Sequence, residues 1–167
     1  MGAVHCQCLI RCKYYCVPSQ CEQACDDAAI HEGGYEMTIE ERAEKAAALK
    51  AEGKCNCAQA VVSVFADRIP VDHDTLMKLT SGFAAGMGCM ESTCGALTGA
   101  VMAAGILTDG HRTPAYAAQI LREFEQRSGA LICRDLKGIN TGKPVCPCPD
   151  CVRNAVLAAG AALNIRD

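Results

Sequence analysis

The chain has 167 residues, 50% of them hydrophobic and 21% charged, which is enough for one globular domain with a hydrophobic core of its own. The net charge of −3 and the isoelectric point of about 5.8 give no electrostatic reason to expect nucleic acid or an anionic membrane surface as a partner. Aromatic residues are only 4% and tryptophan is absent, so the expected fold class is all-α, with an Ala-rich core between closely packed helices.

The first 36 residues differ from the rest of the chain. They have little apolar periodicity, they end at the turn signal Gly33-Gly34, and they contain a run of cysteines: Cys6, Cys8, Cys12, Cys16, Cys21 and Cys25. They contain no apolar run of signal-peptide length, and no stretch of the chain reaches the roughly 18 apolar residues of a membrane span. We therefore expect a cytoplasmic protein with reduced thiols and no membrane insertion, built from a Cys-rich extension (1–36) and a helical domain (37–167).

Two helices are predicted at the start of this helical domain. Thr38 and Glu41 form a capping-box pattern, which predicts that a long helix begins there. This helix should stop or kink near Gly53. An apolar face at helical spacing resumes with Cys57 and should continue until Pro70 ends the second helix.

The middle of the domain contains a short predicted helix over residues 74–79 and then the Gly-rich loop SGFAAGMGCMEST. A longer helix is predicted to start near Cys94. Gly95 and Gly99 lie four residues apart on one face of it, so another backbone can approach closely there. That face suits packing within the chain or a homodimer.

The last part of the chain is also predicted to be helical. One helix starts at Pro114 and ends at Gly129, because proline fits a first helical turn and glycine fits a C-terminal cap. A short segment then carries Cys133, and the loop PVCPCPD leads into a final helix starting at Cys151. No β-alternation of useful length is present, so we expect a compact bundle of about five to six helices.

Cys94 and Cys57 are the first candidate functional residues. Cys94 follows Ser92 and Thr93, either of which could cap the helix. The unpaired amides at a helix start favour thiolate over thiol, and a thiolate is both a metal ligand and a nucleophile. Of Cys55 and Cys57, we favour Cys57 because it begins the apolar face. A buried, chemically inert cysteine is the alternative for Cys94.

A third candidate is the segment C-x-C-x-x-C formed by Cys146, Cys148 and Cys151. Prolines stiffen the segment, and short cysteine spacings of this kind are common in iron–sulfur and zinc sites. A loop with incidental thiols is the alternative. The four histidines fit solvated surface positions better than a zinc or haem role, and no C-x-x-C-H haem attachment motif occurs.

Four motifs in order, NCAQAV, CGALTGAVMAAG, LICRDL and CVRNAV, resemble the C_GCAxxG_C_C family of redox-active proteins, whose helical module is related to part of the split-Soret cytochromes c. The resemblance runs from about Met37 to the C-terminus and leaves the first 36 residues uncovered. It implies a small cytoplasmic protein that moves electrons through an iron–sulfur centre and exchanges them with a redox partner protein. Haem is not carried over, because the attachment motif is missing.

The resemblance implies a specific set of ligands. By motif these are Cys57, Cys94, Cys133 and Cys151, which would hold a [4Fe-4S] or a [2Fe-2S] cluster. Cys89, Cys146 and Cys148 are secondary candidates outside these four motif positions. If the extension is a native part of the protein, its six cysteines are numerous enough for a second cluster or a zinc site, and their four-residue spacings also suit Cu(I).

Two other functions remain open from the sequence. Fourteen cysteines exceed what one cluster needs, so storage or trafficking of Cu(I) or Zn is one alternative. A thiol–disulfide redox protein is the other, with Cys94 as the attacking thiol and Cys89 or Cys133 as its partner. The first predicts many metal ions without sulfide, and the second predicts redox chemistry in metal-free protein.

Overall fold

The computed structural model describes residues 36–165, and this part of the chain is all-α, as predicted. Thr93 and Ile132 form an isolated bridge, and no strand occurs among the described residues. The extension predicted over residues 1–36 lies outside them except for its last residue, so its role stays a prediction. The helices are α1 (Ile39–Ala51), α2 (Cys57–Ser63), α3 (His73–Thr80), α4 (Gly95–Leu107), α5 (Thr113–Ser128), α6 (Cys133–Leu136) and α7 (Cys148–Leu163), with a 3₁₀ turn at Ser81–Phe83.

Several helix ends lie where local sequence signals predicted them. Thr38 accepts a hydrogen bond from the amide of Glu41, whose carboxylate accepts one from the Thr38 amide in return. Gly53 has a φ of 71° just beyond α1, and Gly129 has a φ of 84° at the end of α5. Pro114 lies in the first turn of α5. Capping chemistry therefore sets these boundaries.

The second helix is shorter than predicted. Regular α-helix ends at Ser63, well before Pro70, and the chain continues in tighter turns, in which the amides of Phe65, Ala66 and Arg68 bond to the carbonyl three residues back. The cause lies in α1: the fully buried Arg42 donates a hydrogen bond to the carbonyl of Val64 and two to the carboxylate of Asp67, both of 2.6 Å. The Val64 carbonyl thus accepts a hydrogen bond from the Arg42 guanidinium, whereas in a longer helix it would accept one from a backbone amide.

The last helix begins earlier than predicted. α7 starts at Cys148 rather than Cys151, with Pro147 as its N-cap and Pro149 in its first turn. Proline is tolerated there because the first amides of a helix have no internal partner. As a result Cys148 and Cys151 lie three residues apart in one helix, on neighbouring positions of its surface.

The helices pack around α7, which contacts α1, α2, α4 and α5. Alanine is the most frequent residue of the core, as the composition predicted. At Gly99 the backbone of α4 approaches α2 so closely that an added Cβ would lie 2.8 Å from the Ala58 carbonyl oxygen. The glycine face of α4 is thus used for packing within the chain. No helix within residues 36–165 is long and apolar enough to cross a membrane.

Candidate cysteine site

The first pair of cysteines in the site is Cys57 with Cys148, and each lies at the start of a helix. Cys57 is the first residue of α2, and Cys148 is the first residue of α7. The interaction with the Cys57 side chain is the largest cause that lowers the pKa of Cys148 to about 6, and the same interaction, together with burial, raises the pKa of Cys57. The positive charges of Lys137 and Lys50 also lower the pKa of Cys148. One sulfur of this pair is therefore ready to act as a thiolate near neutral pH.

The second pair is Cys94 with Cys151. Cys94 is itself the N-cap of α4, so neither Ser92 nor Thr93 caps this helix as predicted. The reason is that the chain before α4 is extended: the Cys94 amide donates to the Leu131 carbonyl at 2.9 Å. Both sulfurs of the pair are buried, with 4% and 2% of the residue exposed.

The environment of Cys94 stabilises its thiolate. The interaction with the Cys151 side chain is the largest cause that lowers the pKa of Cys94 to about 7, and the amides of Ala96 and Leu97 lower it further, against the effect of burial. The pKa of Cys151 is raised in turn. The two amides act at longer range, because no capping hydrogen bond of normal length reaches the Cys94 side chain. The amides at the helix start thus act in the direction expected from the sequence, but the Cys151 side chain has the larger effect.

The two pairs form one site. The charge on Cys94 raises the pKa of Cys57, and the charge on Cys148 in turn opposes ionisation of Cys94. The geometry agrees with these charge effects, because a Cβ added to Gly95, the residue after Cys94, would lie 3.4 Å from the Cβ of Cys57. Three helix starts therefore converge: those of α2, α4 and α7.

Cys133 lies beside these four residues. It is the first residue of α6 and 5% exposed, and its amide donates to the Ser92 carbonyl at 3.0 Å. Burial is the main cause that raises its pKa, and the charges on Cys94 and Cys148 add to it. Cys133 is thus coupled to the two pairs through charge, whereas the paired sulfurs also share thiol hydrogen bonds.

The two remaining secondary candidates flank the site. Cys146 is buried, its carbonyl accepts from the Cys151 thiol at 3.4 Å, and its sulfur accepts from Nδ2 of Asn154 at 3.9 Å. Cys89 is exposed, and its thiol donates to the Gly86 carbonyl at 3.4 Å. The six cysteines of the extension lie outside the described residues.

Sequence reasoning missed some features of the site. Asn56 and Gln59 form a capping box that fixes the start of α2, and thereby Cys57, and the pattern N-x-x-Q was its signal. The contact between Cys57 and Cys148 had no local signal. As the side chains stand, no group of three or more His, Cys, Asp or Glu residues within 36–165 is arranged to hold a metal ion.

Comparison with known proteins gives one result. Residues 55–161 match the family described as "Putative redox-active protein (C_GCAxxG_C_C)". This range contains the four cysteines of the two pairs and also Cys133. No curated protein and no solved structure matches the chain. Because the match covers well over half of the chain, the protein belongs to the C_GCAxxG_C_C family of redox-active proteins.

Proposed function

We propose that this protein is a cytoplasmic electron-transfer protein that holds an iron–sulfur cluster through cysteine thiolates. The observation that carries the proposal is the convergence of Cys57, Cys94, Cys148 and Cys151 at three helix starts, with Cys133 beside them. Separate segments that each bring a thiolate to one place are typical of iron–sulfur ligation.

The donor chemistry of these residues fits such a cluster. Iron–sulfur clusters bind thiolates, and the pKa values of Cys94 and Cys148 are lowered to about 7 and about 6. The other two thiols would release their protons on binding. The cluster, when bound, supplies a one-electron redox centre. The chain supplies burial around Cys94 and Cys151 and the amides of α4, which stabilise negative charge on the Cys94 sulfur.

The fourth ligand is either Cys133 or Cys148, with Cys57, Cys94 and Cys151 common to both sets. The motif LICRDL favours Cys133, and the interaction with Cys57 favours Cys148. In a [2Fe-2S] cluster each iron takes two cysteines, so adjacent sulfur pairs favour that cluster if Cys148 is the ligand. Because the side chains are not arranged as a metal site, the sulfurs would have to turn towards a common centre.

The decisive experiment is an assay of iron, acid-labile sulfide, copper and zinc per chain, on protein purified without oxygen, with the visible spectrum of the same sample. We expect iron and sulfide in near-equal amounts. Copper or zinc without sulfide would replace this proposal with metal storage, and absence of all four would remove metal chemistry altogether.

A second function is favoured by the two thiol contacts. Each pair combines a sulfur of lowered pKa with one of raised pKa, which is the arrangement of an attacking thiolate and a resolving thiol. Oxidation of either pair would form one disulfide and release two electrons and two protons to an acceptor. The partner of Cys94 is then Cys151, rather than Cys89 or Cys133. Redox titration of chelator-treated protein tests this: a reversible two-electron step that Cys151→Ala removes would establish it.

A further inference from the structure

A loop beside the cysteine site has the properties of a docking surface. Residues 137–145, KGINTGKPV, follow α6 and lead to Cys146. They contain two lysines and no acidic residue. The loop therefore connects two of the cysteine segments and is positively charged.

Internal hydrogen bonds fix the shape of this docking loop. The Gly142 amide donates to the Gly138 carbonyl at 2.7 Å, and the Val145 amide donates to the Leu136 carbonyl at 2.9 Å. The two ends of the loop pack closely, because a Cβ added to Gly138 would lie 1.8 Å from the Lys143 carbonyl oxygen. A surface that is already ordered loses little conformational entropy when a partner binds.

The docking loop presents apolar side chains next to positive charge. Ile139 is 56% exposed and Val145 is 57% exposed. Within the described part of the chain, Lys137 and Lys143 form none of the ion pairs, whereas Arg134, three residues before the loop, is paired with Glu91 and Asp135. Exposed aliphatic residues in the same loop as two lysines outside these ion pairs favour a partner that combines an apolar patch with negative charge.

The docking loop also lies close to the thiols. The charge of Lys137 lowers the pKa of both Cys133 and Cys148, so this lysine is within electrostatic range of both. Cys148 is partly exposed, unlike Cys94 and Cys151. A partner bound to the loop would therefore be adjacent to the most accessible side of the site.

We propose that residues 137–145 bind a small acidic electron-carrier protein. This inference rests on the proposed function for the choice of an electron carrier, and on the lysines and exposed aliphatic residues for the acidic, partly apolar surface. The complex is of the transient kind, with a small contact area and association steered by charge.

The test is a binding titration of the full chain, purified without oxygen, with an acidic ferredoxin as the probe and a basic c-type cytochrome as the opposite-charge probe. The test variant is Ile139→Glu/Lys143→Glu, which leaves Lys137 and every cysteine in place. The matched control is Lys78→Glu/Leu79→Glu on α3, where Leu79 is 57% exposed and Lys78 is paired with Asp74. Both variants change the net charge equally, and circular dichroism checks that both fold.

We expect the ferredoxin to bind wild type and the control, and its dissociation constant to rise about tenfold or more in the test variant. Binding should also weaken between about 0.01 M and about 0.15 M salt, because the Debye length falls from ~30 Å to ~8 Å. The cytochrome should not bind wild type or the test variant measurably. The proposal is overturned if the ferredoxin binds wild type and the test variant equally, or if the control loses as much ferredoxin binding as the test variant. It is also overturned if wild type binds the cytochrome more tightly than the ferredoxin.

The same samples separate this inference from the proposed function. Iron and sulfide are assayed before each titration. Ferredoxin binding that depends on the loop, in protein without a cluster, would support the docking surface and refute the cluster. Protein that holds iron and sulfide but shows no loop-dependent ferredoxin binding would support the cluster and refute the docking surface.

Discussion

Cys94 combines burial, a helix start and a thiol donor in one residue. Its pKa is lowered to about 7 by the Cys151 thiol and the amides of α4, so it is the buried cysteine best prepared to bind metal. We expect Cys94→Ala to abolish cluster binding. Cys55→Ala, a matched control one residue before the N-cap of α2, should retain it. Iron and sulfide per chain are the measurement, and equal retention in the two variants would remove Cys94 from the ligand set.

Cys133 and Cys148 differ in how they meet the other sulfurs. The Cys57 side chain is the largest cause that lowers the pKa of Cys148, whereas the other cysteines act on the pKa of Cys133 only through charge. We therefore expect Cys148→Ala to lose most of the iron and Cys133→Ala to keep most of it. Electron paramagnetic resonance of the reduced protein should then show a [2Fe-2S] signal. The opposite ranking would assign the site to the four motif cysteines.

The thiolate of Cys148 predicts a pH profile in reduced, chelator-treated protein. Alkylation requires the thiolate, so with a pKa of about 6 the rate should rise through pH 6 and level off above it. An ordinary thiol has its midpoint near 8.5. Removing the donor thiol by Cys57→Ala raises the Cys148 pKa and moves the midpoint to higher pH. Mass spectrometry of the alkylated peptide measures this, and a midpoint that Cys57→Ala leaves in place contradicts the hydrogen bond.

Between elements, the contact of α2 with α4 sets the distance between Cys57 and Cys94. Gly99 of α4 meets the Ala58 backbone, where an added Cβ would lie 2.8 Å from oxygen. Gly99→Ala should lower the free energy of unfolding by up to about 2 kcal/mol, because overpacking costs about 1–3 kcal/mol and helix propensity returns about 1 kcal/mol. It should also weaken cluster binding.

Gly105 provides the control in the same helix. A Cβ added there would meet Thr113 at 3.5 Å, an ordinary contact. Gly105→Ala should therefore raise the free energy of unfolding by up to about 1 kcal/mol and leave cluster binding unchanged. Denaturant titration of both variants measures the difference. Similar effects at the two glycines would mean that close approach at Gly99 does not position α2.

The helices also show which features local sequence determines. The capping box of Thr38 and Glu41 lies at the start of α1, and Gly129 lies at the end of α5. Each signal acts within a few residues of its helix, so these two boundaries were predictable from the sequence. The end of α2 was not, because Arg42 of α1 takes the Val64 carbonyl across 22 residues of sequence. The site behaves in the same way: each cysteine was visible in its motif, but the pairing of Cys57 with Cys148 depends on how α2 and α7 pack.

For the whole molecule, the open question is whether the cysteines of the extension form a separate centre. The five cysteines of the site all lie within residues 57–151 and belong to one packed helical unit, so we expect them to need no ligand from residues 1–36. Replacing Cys6, Cys8, Cys12, Cys16, Cys21 and Cys25 by serine in the full chain should therefore leave one cluster per chain. Any iron or zinc beyond that amount in wild type should disappear, because serine does not replace thiolate as a soft ligand.

Metal analysis and the visible spectrum of wild type and this six-serine variant decide between the outcomes. Equal metal content in the two proteins means that the extension holds no metal. Loss of all iron in the variant means that the extension supplies ligands to the helical domain, which would contradict a self-sufficient site. An intact first cluster together with loss of the excess metal is the expected result, since it follows from a helical domain that brings its own thiolates together at three helix starts.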